Sequence, residues 1–231
     1  MTSNIQSMLS RGLLRAVPVA LCVVLVSACA GRRAPVHEQL QVAGQGDALA
    51  VSDALEALIA LGQDTPADRE YAYEIVHQHN EDTAVTMFAR ADVTGRLVQQ
   101  RGFLAANLVP EIERSARRSR ELDPTFRDGA ATRLLGTLYV IAPGAVLEHG
   151  DSEQGLELLE GLTAAHPEVL ENHLRLAEAY IALGDATPAR PHLCLCLAGK
   201  GKLRRDEQIL LTHLYADAGS PTCPQTTKPA P

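Results

Sequence analysis

Residues Glu171–Ala198 read ENHLRLAEAYIALGDATPARPHLCLCLA. Apolar residues recur at helical spacing on both sides of Gly184-Asp185, so the stretch is two short amphipathic helices joined by a tight turn. One such pair cannot bury its apolar face alone. The fold therefore turns on what stacks against it.

The same pattern recurs along the chain. RLLGTLYV, LRLAEAYI and ILLTHLYA each set a Leu, a mostly small residue and then a Tyr in one register: Leu135-Gly136 with Tyr139, Leu176-Ala177 with Tyr180, Leu211-Thr212 with Tyr215. The Tyr spacings are 41 and 35 residues. These are the tetratricopeptide period of about 34 with a seven-residue and a one-residue insertion. Gly150-Asp151 matches Gly184-Asp185 at the turn, and Pro124 and Pro167 stand where repeats close. Leu159 and Leu162, then Ala189, Leu193 and Cys196, fill the packing slots of the second helices. The pattern predicts an all-α fold, an α-solenoid of tetratricopeptide-like helix pairs over residues 47–219. Its repeat core is Leu135, Gly136, Tyr139, Leu176, Ala177, Tyr180, Leu211 and Tyr215, with the Tyr180 ring largely removed from water and its hydroxyl on a polar partner or at the rim. Residues 47–107 are helical in pattern but poor in phase and read as degenerate pairs. Residues 204–218 read as a terminal cap.

Composition agrees. Aromatics are scarce, with five Tyr, three Phe and no Trp, and Ala and Leu take the place of the Val, Ile and Thr alternation of a β-fold. The last dozen residues, 220–231, hold four Pro and read as a disordered tail.

The N-terminus reads differently. Arg11 and Arg15 precede an apolar stretch too short to span a bilayer, the form of a secretory signal peptide over residues 1–28. Val26-Ser27-Ala28-Cys29 resembles a bacterial lipobox, which makes Cys29 the lipidation site and residues 29–46 a tether. Ala30 rather than Asp follows, which favours an outer-membrane lipoprotein facing the periplasm. After cleavage 19 basic residues face 28 acidic ones, a balance that argues against nucleic acid and against adhesion to anionic lipid. The acyl group must hold the membrane. Three cysteines remain: Cys194, Cys196 and Cys223. Cys194 and Cys196 diverge on a helix, so one of them pairs with Cys223 or all three stay as thiols, the latter being favoured.

Chemistry is sparse. There is no phosphate loop, serine elbow or zinc-protease motif, so an enzyme is not expected, nor a metal or other cofactor. His77 and His79 diverge on a helix. Arg114, Arg117 and Arg118 read as a solvated face paired with Glu111, Glu113 and Glu121. The groove side of the first helices offers Arg133, Thr137, Glu171, Leu174, Glu178 and His213. Arg133 either grips an organic carboxylate with its planar fork or pairs with a neighbouring acid. The insertion Ala142–His149 either reaches a partner or is a neutral surface loop.

The lipobox followed by RLLGTLYVIAPG and GDSEQGLELLEGLTAAHPEVLENHLRLAEAYIALGD resembles the T-component family of TRAP-type (tripartite ATP-independent periplasmic) transporters. The likeness covers most of residues 50–219. One departure is Ala145-Val146, where the family would carry an aromatic after Ala-Pro-Gly. The resemblance implies a lipid-anchored binding module, a homo-oligomer such as a trimer, docking of a periplasmic solute-binding protein, and passage of an apolar organic acid. The alternative is a scaffold lipoprotein of an envelope assembly or of pilus or secretion machinery.

Overall fold

Short polar side chains start the helices. Asp47, Thr83 and Asp151 each accept a hydrogen bond from a backbone N–H three residues on, and Thr65 forms a reciprocal capping box with Asp68 ahead of Pro66. Each satisfies an N–H that the first turn leaves without a partner. A computed structural model describes residues 35–224. The signal peptide, Cys29 and residues 225–231 lie outside it.

The described residues are all-helical: α1 Glu38–Ala43, α2 Ala48–Leu61, α3 Pro66–Val76, α4 Ala84–Arg101, α5 Val109–Leu122, α6 Ala130–Ile141, α7 Ser152–Ala165, α8 Leu170–Ala182, α9 Ala186–Ala198 and α10 Arg205–Asp217. A 3₁₀ stretch, Gly102–Leu108, links α4 to α5. Consecutive helices pack together, most extensively α4 with α5, α6 with α7, and α8 with α9. The apolar interior is a chain of small clusters, each shared by neighbouring helices. The α10 helix packs on α8 and α9 and also reaches α2, so the two ends of the helical array meet.

Most of the expected core is in place. Leu135, Gly136, Tyr139, Leu176, Ala177 and Leu211 are buried, as are Leu159, Leu162, Ala189, Leu193 and Cys196. Two Tyr depart from the expectation. Tyr180 is only half-buried, its hydroxyl donating to Glu160 at 2.5 Å, and Tyr215 is half-buried with its hydroxyl on the Pro221 carbonyl at 2.8 Å. Each hydroxyl reaches the rim, and the ring follows it outward.

Three boundaries are corrected. Residues 38–43, expected in the tether, form α1, and Leu40 is fully buried among Val51, Leu55 and Ala72. A single buried Leu among polar neighbours gave too little period to read. Cys194 and Cys223 form a disulfide, which fixes the start of the expected tail to α9 and leaves Cys196 as a buried thiol. In the chain-entropy account, closing a loop of this length stabilises the fold by about 3–4 kcal/mol. The terminal helix α10 is no simple cap, because it closes onto α2.

The α6 and α7 helices approach closely through two glycines. A methyl group built on Gly155 would lie 2.8 Å from the Gly136 carbonyl oxygen, and one on Gly136 would lie 3.0 Å from the Gly155 oxygen. Two backbones thus touch directly. Gly155→Ala should cost about 1–3 kcal/mol through overpacking. Gly161→Ala on the same helix meets nothing within 4 Å and should gain up to about 1 kcal/mol. Urea unfolding of both variants checks this; equal effects would contradict the close approach.

Candidate ligand cavity

The α6 helix repeats lining residues at Ala130, Arg133, Leu134, Thr137, Leu138 and Ile141, one stripe at helical spacing. That stripe faces a cavity of about 750 Å³. Helices α2, α4, α8 and α10 complete its wall, with Val109 and Ile112 of α5, while α3, α7 and α9 contribute no lining residue. Helices α2, α4, α6, α8 and α10 thus turn one face inward, α5 reaches the cavity only at its first turn, and α3, α7 and α9 lie behind.

The wall is divided in character. One part is apolar, with Phe88, Val98, Phe103, Leu134, Leu138 and Ile141. Another carries charge. Glu56 accepts two hydrogen bonds from Arg96, at 2.5 and 2.7 Å, and a further contact from Arg204. Arg96 and Arg204 also lie 3.5 Å from Asp206, and Arg204 lies 3.2 Å from Glu207. Arg127 holds Asp53 with a two-pronged contact at 2.6 and 2.7 Å. It does so from a left-handed backbone, φ 49°, next to Asp128 at φ 53°. This conformation is costly for residues with a side chain, and the paired guanidinium helps to hold it. Arg175 pairs with Glu178 at 2.8 Å. Ser52 donates to Asp92 at 2.7 Å, yet burial and the nearby Glu56 push the Asp92 carboxyl up to about 7.

Arg133 is the exception among these cavity arginines. Its Nη1 donates to Asn172 Oδ1 at 2.8 Å, and no carboxylate among the described residues lies within 4.0 Å of it. Burial lowers its pKa, opposed by the more distant charge of Glu171. Asn172 is fully buried, and its Nδ2 has no partner among the described residues. The cavity therefore holds one arginine whose charge the protein does not neutralise directly. Of the two readings of Arg133, the neighbouring-acid pair is absent among the described residues.

Of the six groove residues read from the sequence, Arg133, Thr137 and Glu171 line the cavity together. Leu174 does not: it is fully buried in the cluster of α8, α9 and α10, because its turn of α8 faces α9. Glu178 lies off the cavity on Arg175, and His213 is exposed on α10 away from the lining. Sequence reasoning missed Glu56, Asp92, Arg96 and Arg204. The only available signal was their helical phase in a region of poor repeat match. The Arg114–Arg118 face is ion-paired, in part as expected: Arg118 lies 3.4 Å from Glu121, but its closer partner is Asp82 at 2.5 Å, and Arg114 pairs with Glu148 at 2.8 Å. His77 contacts Glu111, and His79 lies 3.8 Å from Glu81.

Glu113, read as a surface acid, is fully buried. Its carboxylate accepts from the Tyr139 hydroxyl at 3.0 Å and from the backbone N–H groups of Glu148 and His149 at 2.6 and 2.9 Å. The insertion Ala142–His149 is thus fastened to α5 and α6, and its Ala142, Pro143 and Val146 border the cavity. Comparison with protein-family models and with curated proteins gives no match for this chain.

Burial alone would raise the Glu113 pKa, but the Glu148 N–H, the Tyr139 hydroxyl and the His149 N–H together hold it below the ordinary carboxylate value. A carboxyl depressed in the fold contributes stability above its unfolded pKa, about 4.3, and loses it as pH falls through the folded value. The loop should therefore stay fastened at pH 5 and release only in stronger acid. Glu113→Gln should cost about 1–3 kcal/mol, because one of the two accepting oxygens becomes an NH2 donor facing an N–H, and the charge that strengthens these hydrogen bonds is lost. Hydrogen exchange at the Glu148 and His149 amides should accelerate in this variant. Unchanged stability with protected amides would contradict the fastening.

Proposed function

We propose that this chain is a lipid-anchored, tetratricopeptide-like solenoid that binds an apolar organic carboxylate in its cavity. In this reading it is the periplasm-facing binding module of a TRAP-type transport system and docks a solute-binding protein. The observation that carries the ligand reading is Arg133. Arg96, Arg127, Arg175 and Arg204 all have carboxylate partners in or beside the cavity, and Arg133 has none among the described residues. Arg133 is half-buried, and a partly desolvated cation without a charged partner is a favourable site for an incoming carboxylate. Its Nε and Nη2 make no hydrogen bond among the described residues, so a planar edge remains for a two-pronged contact.

The other features agree. The volume falls within the usual range of small-molecule cavities, about 300–1,000 Å³. An apolar wall beside the arginine suits a hydrocarbon tail. Tetratricopeptide-like stacking accounts for the chain of small clusters and for the inward-facing alternate helices. The Cys194–Cys223 disulfide fits an oxidising compartment such as the periplasm. The lipobox and the T-component likeness supply the anchor, the transport setting and the expectation of a homo-oligomer.

Calorimetric titration with dodecanoate and with dodecanol tests the reading. The carboxylate should bind, and Arg133→Gln should weaken it by about 10- to 100-fold, the value of a charge-assisted hydrogen bond, while leaving the alcohol unchanged. Equal affinity for acid and alcohol in both proteins, or no binding of either, would overturn it.

A further inference from the structure

The 3₁₀ stretch Gly102–Leu108 presents Phe103 and Leu104 to solvent at 94% and 90% of their surface. Two adjacent large apolar side chains so fully exposed stand apart in a fold whose apolar residues are otherwise mostly buried. Phe103 also lines the cavity, so it stands at an opening. Gly102 and Ala106 line the cavity beside it.

The described chain begins at the N-terminal end of α3, the end that Arg101 also contacts. The N-terminal turns of α3 connect the two places. Asp68 accepts from the His37 N–H at 2.8 Å, and two residues on, Glu70 pairs with Arg101 at 3.1 Å. Arg101 is two residues before Phe103. From Cys29 to Pro35 there are six residues, a contour of about 20 Å at most. A lipid on Cys29 therefore keeps this end of the fold close to the bilayer. The overall negative charge does not favour an anionic surface. Insertion of an aromatic and an aliphatic side chain needs only a neutral leaflet.

We infer that Phe103 and Leu104 form a membrane-inserting tip that sets the cavity mouth against the leaflet holding the anchor. An amphiphilic ligand then passes between bilayer and cavity without crossing open water. The inference rests on the lipid anchor at Cys29, and it names a lipid leaflet as the source of the ligand.

The chain contains no Trp, so Phe103→Trp introduces a single reporter. Leu122→Trp serves as a control, because Leu122 is exposed at the far end of α5, about 20 Å along the helix. The full chain is produced in a host that acylates lipoproteins, reconstituted in phosphatidylcholine vesicles with and without brominated acyl chains, and weighed by mass spectrometry. Emission from Phe103→Trp should shift to the blue, and brominated lipid should cut it by half or more, while Leu122→Trp changes little. An acylated protein whose two reporters are equally unquenched overturns the tip and leaves the anchor standing. A protein without acyl mass that fails to bind vesicles overturns the anchor and the tip with it. A blue shift insensitive to bromine, with an oligomeric mass in solution, assigns the patch to a second copy of the chain and also overturns the tip.

Discussion

Glu56 ties together helices that are far apart in the chain. Its carboxylate holds Arg96 of α4 and Arg204, the residue before α10, which is 148 residues away. Two guanidinium groups on one carboxylate, with Asp206 and Glu207 close by, form a network that is mostly out of water. Such a network is unforgiving. Removing one member leaves the others desolvated without compensation, at a typical cost of about 3–5 kcal/mol. The contact of Arg205 with the Leu61 carbonyl, at 3.2 Å, joins the same two ends. Through these contacts α10 meets α2, and the inward faces line a half-open cavity.

The same junction sets the electrostatics of that cavity. Glu56 is spoken for by two arginines, and its charge beside Asp92 helps to raise the Asp92 carboxyl. Asp53 is held by Arg127. What remains is Arg133, fixed on α6 with one nitrogen on Asn172. The proposed carboxylate site is thus defined as much by the pairing of its neighbours as by Arg133 itself. The insertion Ala142–His149 borders the opposite, apolar part, and the buried Glu113 carboxylate keeps it there.

Much of the fold could be read from the chain because it is written in local repetition. The Leu, small-residue and turn positions recur in phase, so Leu135, Gly136, Leu176, Ala177 and Leu211 are buried as expected. Side-chain facing was legible on α6, where Arg133 and Thr137 do line the cavity. It failed on α8, where Glu171 lines the cavity but Leu174, one turn later, packs toward α9. Glu171 and Arg175, four residues apart, share the cavity stripe, and Leu174 stands about 60° to one side of it, at the edge that meets α9. Closure was not legible at all, since a contact across 148 residues leaves no periodic trace. Nor was α1, because one buried Leu carries no period, and the partner of Cys223 depends on where the chain end returns.

A double-mutant cycle between Glu56 and Arg204 tests the closure most directly. Glu56→Gln, Arg204→Gln and the double variant are compared by urea unfolding. Closure predicts a coupling energy of about 1–3 kcal/mol, well above that of an exposed pair, so that the second substitution costs less once the first is made. Strictly additive losses would mean that α10 does not close on α2 in solution, and the half-open cavity would go with it.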